Sequence, residues 1–314
     1  MKRVIVTGSV GYDYIMDFPG RFADRIMPDK VHVLSLSFLV EKMSKNVGAC
    51  ATNLAYTFKL LGGEPLIMSS VGKDFSDAKK FLIKHKISTL GIHVFDDDYC
   101  SSYHVVTDQD DNQIGAFHMG ALKHNKELSL KKFSQCDFVT IGPTDPKAMI
   151  KYVDECQELK LPYLYDPSFQ IADFTPEDLL KGLSGAAITI GNDYEIALIE
   201  KRLGISHEKL VAMVPVLITT LGPKGSVIES GKDTIHIKPA KITKVVDPTG
   251  AGDAYRAGFI AGYLNSKDLT VCGQTGSVAA AYAIEHYGTV THHFTKKEFE
   301  KRYKENYGAT IRLI

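Results

Sequence analysis

The stretch FVTIGPTDPKAMIKYVDECQELKLPYLY, residues 138–165, decides the fold class: a short apolar run, an amphipathic stretch and a second apolar run follow each other without a break. The pattern then repeats, with EDLLKGL (177–183), an apolar run from Ala187 to Ile190, and the amphipathic DYEIALIEKRL (193–203). Apolar runs too short for helices, separated by segments of helical period, predict consecutive βαβ units and a mostly parallel sheet covered on both faces, an α/β fold. Arg3 to Thr7 reads as a further strand, and the continuous apolar run Val211 to Leu221 as a buried one. The N-terminal third differs. VHVLSLSFLV (31–40), YHVV (103–106) and QIGAFH (113–118) alternate with period two around the polar turn DQDDN (108–112), which predicts antiparallel strands. Such strands rarely enter a parallel sheet centrally, so a small β-lid from about residues 9–45 and 96–120 is expected beside one catalytic unit spanning 1–314.

Composition supports this and narrows the function. A chain of 314 residues, 44% hydrophobic and 24% charged, has the apolar content of a full globular core. Thirty-seven basic residues balance 37 acidic ones, so the excess of positive charge that attracts phosphate backbones is missing, which argues against a nucleic-acid partner. The apolar start is broken by glycines and Asp13, and nothing approaches the apolar length of a membrane span, so a soluble, cytoplasmic chain is expected. Five scattered cysteines without a CxxC predict free, mostly buried thiols. Eleven histidines, His104, His118, His124, His292 and His293 among them, show no tight ligand spacing and read as solvated or core side chains.

The chemistry concentrates in VVDPTGAGDAYRAGFIAGYL (245–264), where a strand end meets three small residues and then a helical pattern. Gly250, Ala251 and Gly252 let backbone N–H groups approach an anion at the positive end of a helix dipole. Asp253 follows in the first turn, where its carboxylate can take a proton from an attacking hydroxyl. No GxxxxGK[ST] loop is present, and the protein-kinase HRD and DFG set is missing.

The segment 247–253, DPTGAGD, resembles the C-terminal DTxGAGD motif of the ribokinase-like, or PfkB, family of sugar and nucleoside kinases. Gly48, Ala49 and Asn53 in NVGACATNLAYTFKLLGG resemble that family's glycine pair and following Asn, with Ala49 in place of the second glycine; Asn192 and Glu195 match its NxxE motif, and Thr220, Gly222 and Gly225 a TxGxxG element. The resemblance runs from the first strand to about residue 290. Within it GSVGYDYIMDFPGRF, LSLSFLV, NDYE, TLGPKG and DPTGAGDAYRAGF look most like the bacterial adenosine kinases of ribokinase fold.

This resemblance implies a Rossmann-like domain with a β-lid that phosphorylates adenosine at its 5'-hydroxyl, with ATP as co-substrate, Mg2+ as cofactor and room for a monovalent cation such as K+. Asp253 would be the base, with the N–H groups of Gly250, Ala251 and Gly252 as anion hole. Ser9, Asp13, Ser37, Gly48, Ala49, Asn53, Tyr103, Phe117, Phe169 and Gln170 would hold the nucleoside: Asp13 the ribose hydroxyls, two lid rings the purine faces, Ser37 or Gln170 the purine edge. Asn53, Asn192 and Glu195 also read as helix-cap or first-turn residues. Asn192, Gly252 and the loop Thr220, Leu221, Gly222, Pro223, Lys224, Gly225 would hold ATP, with Glu195 organising Mg2+ through water and Ser277 and Ala281 beside the adenine. A homodimer through the lid sheet is also implied. The alternatives are a related kinase for another nucleoside or for ribose or fructose, and a catalytically silent nucleoside binder.

Overall fold

The computed structural model describes residues 2–110, 112–265 and 267–313. In chain order the strands are β1 (Arg3–Thr7), β2 (Gly11–Asp17), β3 (Lys42–Gly48), β4 (Glu64–Gly72), β5 (Ser88–Phe95), β6 (Ser101–Thr107), β7 (Gln113–His118), β8 (Phe138–Ile141), β9 (Tyr163–Tyr165), β10 (Ile188–Asn192), β11 (Leu217–Thr220), β12 (Ser226–Ser230) and β13 (Asp233–Ile237). The helices are α1 (Cys50–Leu60), α2 (Ser76–Lys84), α3 (Pro146–Leu159), α4 (Pro176–Ser184), α5 (Asp193–Leu203), α6 (His207–Met213), α7 (Ala251–Leu264), α8 (Leu269–Ile284) and α9 (Lys296–Tyr307).

Nine strands form one sheet in the order β13-β12-β11-β10-β9-β8-β1-β4-β5. It is parallel from β11 to β5, and β12 and β13 add an antiparallel edge. Alternate side chains of one strand serve two cores: Val4 and Val6 join the layer of α1, α7 and α8, while Ile5 joins the layer of α3, α4 and α5. Helices on both faces explain why these strands read as unbroken apolar runs rather than alternations. β1 pairs with β4 on one side and β8 on the other. That is a topological switch point, and the crevice beyond the carboxyl ends of the strands there is where open α/β sheets bind ligands.

The second sheet has the order β3-β2-β6-β7. The pairs β2/β3 and β6/β7 are antiparallel, as the alternation predicts, while β2 and β6 meet in parallel. YHVV and QIGAFH lie in β6 and β7. In the expected turn the Asp108 carboxylate accepts the N–H groups of Asp110 and Asn112; Asp111 lies outside the described residues. Two segments depart from expectation. VHVLSLSFLV is not a strand: a 3-10 helix, Pro28–Val33, runs into irregular chain, and KMSKNVG pairs with β2 instead. That register sets Gly11 opposite Gly48 and leads the chain directly into α1, while residues 31–40 expose Val31, Val33, Leu34 and Leu39 and keep Phe38 against Phe18 and Phe22. The run Val211–Leu221 also divides, its first part closing α6 and only Leu217–Thr220 forming a strand, because Pro215 cannot continue a helix.

All five cysteines are free, with Cys100, Cys156 and Cys272 buried. The histidines are scattered: His292 is buried with Nε2 3.0 Å from the Thr57 hydroxyl, His124 sits between Asp98 and Glu127, and His104 stacks on Tyr14.

Candidate active site

A cavity of about 580 Å³ opens where the carboxyl ends of the parallel strands face the smaller sheet. Its lining is drawn from both sides: Asp13, Tyr103, Gly115 and Phe117 from the smaller sheet, and Ser9, Asp166, Asn192, Thr220, Gly250, Gly252, Asp253 and Arg256 from the larger sheet's strand ends, the loops beyond them and α7.

Asp253 occupies the first turn of α7, behind the cap residue Gly250 at φ +81°. That left-handed backbone turns the chain sharply from loop to helix, at little cost only for glycine. Of the three small residues, Gly250 and Gly252 line the cavity, whereas Ala251 points its N–H at Pro248 O, 3.2 Å away. Asn53 sits inside α1, not at its cap, and its Nδ2 donates to Asp253 Oδ2 at 2.8 Å. Its own Oδ1 is buried without a partner among the described residues. Burial pushes the Asp253 carboxyl up to about 6, against the opposing pull of Arg256 and the Asn53 hydrogen bond; the charge of Asp13 adds to the rise. A carboxylate poised there can both accept a proton near neutral pH and release it.

Asp13, on β2, is 3% exposed. Its Oδ2 accepts the Ala49 N–H at 3.3 Å and the Thr289 hydroxyl at 2.9 Å, and burial again lifts the acid to about 6. Gly48 explains itself here, since a Cβ on it would stand 1.9 Å from Asp13 Oδ2. Ala49 is less comfortable, at φ +69° and ψ 156°. That region is nearly confined to glycine and costs other residues about 1–3 kcal/mol, so the chain tolerates strain beside Asp13.

Sequence reading missed the pair that organises the deeper wall. Arg256 Nε lies 2.6 Å from Asp166 Oδ2, and Nη2 donates to Asp166 Oδ1 at 3.0 Å, both side chains nearly buried. Arg256 Nη1 lies 2.7 Å from where a Cβ on Gly252 would stand. Burial pushes Asp166 up to about 6 with Arg256 as the main opposing influence, and the surrounding carboxylates hold Arg256 firmly charged. The only linear signal is an arginine three residues after Asp253, which a helix turn sets near that aspartate's side. Cys50, also missed, brings Sγ to 3.1 Å from Ser9 Oγ; burial pushes the thiol up to about 12, so it stays protonated.

The remaining expected residues divide. Phe117 of β7 meets Phe169, half exposed on the larger domain, with centroids 5.3 Å apart. Tyr103 pairs across from Phe117 in the register of β6 and β7, its ring over Gly115. Hence the aromatic wall is shared between the smaller sheet and the turn after β9, not made by the rings of the smaller sheet alone. Asn192 and Glu195 form a capping box at the start of α5, and Glu195 Oε1 also accepts the Ser168 hydroxyl while the residue faces the cavity. Capping and lining coexist. Ser37 is exposed in the irregular segment before β3 and does not line the cavity. Gln170 is buried with Nε2 donating to Thr144 O. Leu221, Gly222, Pro223, Lys224 and Gly225 form the turn between β11 and β12, outside the lining. Ala281 is in the core, and the Ser277 hydroxyl accepts the Ala240 N–H.

The pattern of the pfkB family carbohydrate kinases matches residues 1–296. The chain belongs to the PfkB family. This PfkB kinase is 30% identical to a nucleoside kinase of Methanocaldococcus jannaschii over 293 residues, 93% of each chain. A nucleoside kinase of Burkholderia thailandensis, solved in complex with inosine, superposes with a TM-score of 0.92 at 30% identity, covering 98% of this chain and 100% of that one. An adenosine kinase of Sinorhizobium meliloti superposes with a TM-score of 0.74 at 19% identity over 92% and 95% of the two chains, a likeness of fold alone. Among the described residues of this PfkB kinase no helix is long and apolar enough to cross a membrane.

Proposed function

We propose that this PfkB kinase transfers the γ-phosphoryl group of ATP to the ribose 5'-hydroxyl of a nucleoside, with adenosine as an acceptor that yields AMP and ADP in purine salvage. The observation that carries the reading is one cavity holding a carboxylate on the helix turn, Asp253, a second, buried one on the opposing sheet, Asp13, and an aromatic wall beside them. Asp13 accepts hydrogen bonds from the ribose hydroxyls, and Asn53 Oδ1 offers a further acceptor to the sugar. Asp253 takes the proton of the 5'-hydroxyl as it attacks, while the N–H groups of Gly250 and Gly252 face the transferring oxygens.

Asn192 and Thr220, with the turn 221–225 behind them, bound the nucleotide end. Glu195 is a hard oxygen ligand facing the cavity, with Asp166 committed to Arg256, so Glu195 suits Mg2+ held through water. When bound, the metal would neutralise charge on the phosphates. Gln170 is spent on Thr144, so the base is gripped by ring faces more than by an edge-reading amide, and inosine and guanosine fit the same wall. The smaller sheet acts as a lid that excludes water, and its exposed rim of Val31, Val33, Leu34, Leu39 and Met43 supplies the surface for a homodimer.

Release of ADP from Mg-ATP with adenosine, inosine, guanosine, cytidine, ribose and fructose tests this directly. Nucleosides should win, and Asp253→Asn should lower kcat by about 10²–10⁴-fold without loss of fold. Preference for ribose or fructose would overturn the nucleoside reading, and a fully active variant would remove Asp253 as base.

A further inference from the structure

The connection between α8 and α9 carries no motif, yet it touches Asp13 and the turn that leads to Asp253. Thr289 is 1% exposed, and its Oγ1 donates to Asp13 Oδ2 at 2.9 Å. The rest of the side chain lies over the turn that leads into α7: a Cβ on Gly250 would stand 3.0 Å from Thr289 Cβ and 3.1 Å from Cγ2. On the smaller sheet, a Cβ on Gly48 would stand 2.5 Å from Thr289 Oγ1. The preceding residue extends the bridge, with the Gly288 N–H donating to Asp247 Oδ2 at 3.0 Å, while Asp247 Oδ1 accepts the Thr249 N–H at 2.9 Å.

We propose that Thr289 is a positioning residue that holds the nucleoside-binding carboxylate of Asp13 in register with the Gly250 turn carrying Asp253. The proposal rests on the nucleoside-kinase reading above. Both parts of the side chain are used: the hydroxyl aims the Asp13 carboxylate, and the β-branched carbon backs the turn. The ionisable groups around Asp13 are Asp247 and Asp253 from the larger domain and Tyr103 from β6, none of them cationic. Its negative charge is therefore held by neutral donors, the Thr289 hydroxyl and the longer contact from Ala49 N–H. A buried carboxylate that loses its better donor favours its protonated form and is free to turn.

Valine keeps the shape of threonine without the donor, and serine keeps the donor. The intact Thr289→Val and Thr289→Ser enzymes are compared with wild type in Mg-ATP kinetics with adenosine and inosine from pH 5 to 8, alongside thermal melting. Thr289→Val should raise the nucleoside KM roughly 10- to 100-fold, leave the ATP KM unchanged, and move the acidic limb of nucleoside kcat/KM to higher pH. Thr289→Ser, which keeps the donor, should leave the nucleoside KM and the pH limb near wild type, its missing Cγ2 costing at most a smaller loss of kcat. A wild-type KM and pH limb in Thr289→Val would overturn the coupling, as would equal impairment of both variants with a lowered melting temperature, which marks a structural role only. A wild-type enzyme that phosphorylates no nucleoside would instead overturn the underlying reading, and the coupling with it.

Discussion

The two sheets meet at one cavity but differ in how they hold their groups. β8 and β9 of the larger sheet are buried along their whole length, whereas β7 of the smaller sheet exposes every residue but Phe117. Arg256 and Asp166 face each other inside a packed wall; Tyr103 and Phe117 stand on a hairpin open to solvent on its other side. The Arg256–Asp166 pair is thus held inside the buried layer, and the rings of Tyr103 and Phe117 stand on the exposed sheet. Three carboxylates, Asp13, Asp166 and Asp253, are lifted to about 6 in this arrangement. Each binds its proton more tightly in the folded state than in the unfolded one, so each lowers stability as pH rises from about 4 through 6.

Arg256→Gln attacks the buried side and should have the largest effect. It strands the buried Asp166 beside Asp253, at a cost of about 3–5 kcal/mol in denaturant unfolding. Since Arg256 is the chief influence holding Asp253 down, the acidic limb of kcat should also move above about 6. Unchanged stability with an unmoved limb would break the contrast. Phe117→Ala tests the exposed side: nucleoside kcat/KM should fall about tenfold, on the scale of one aromatic contact, with the melting temperature nearly unchanged because β7 is exposed. An equal loss with ribose as acceptor would mean that the ring supports the lid rather than the base.

The smallest effect lies away from the site. His207 bridges Glu200 of α5 (2.7 Å) and Glu229 of β12 (2.8 Å), and these hydrogen bonds hold its pKa above the usual value. A raised histidine contributes stability that is complete below its unfolded value and lost as pH rises through its folded one. His207→Gln should therefore lower stability by less than about 1 kcal/mol at pH 5.5, given its partial exposure, and by nothing measurable at pH 9. A loss that persists at pH 9 would show packing rather than charge.

Much of the larger sheet was legible because its signals are local. An apolar run followed by a helical period reads as strand and helix wherever it occurs, and Gly250 and Gly252, one residue apart, announce a tight turn. The smaller sheet was half legible: β6 and β7 alternate cleanly, but LSLSFLV alternates as well and is not a strand, because closing the chain onto Asp13 selects KMSKNVG as the partner of β2. Phe169 and Gln170 are neighbours with opposite fates, one at the aromatic wall and one bound to Thr144, and no linear pattern separates them.

By itself the sequence determined an α/β chain, a small-residue turn that carries an acid, and the PfkB motifs around it. Tertiary structure alone decided what surrounds that acid: Arg256 meets Asp166 across 90 residues and Thr289 meets Asp13 across 276. The reason is physical. Period and turn chemistry act between neighbours along the chain, whereas the effect of a charge or hydroxyl on a carboxylate depends on burial and distance, and those exist only once the sheet order has brought remote segments together.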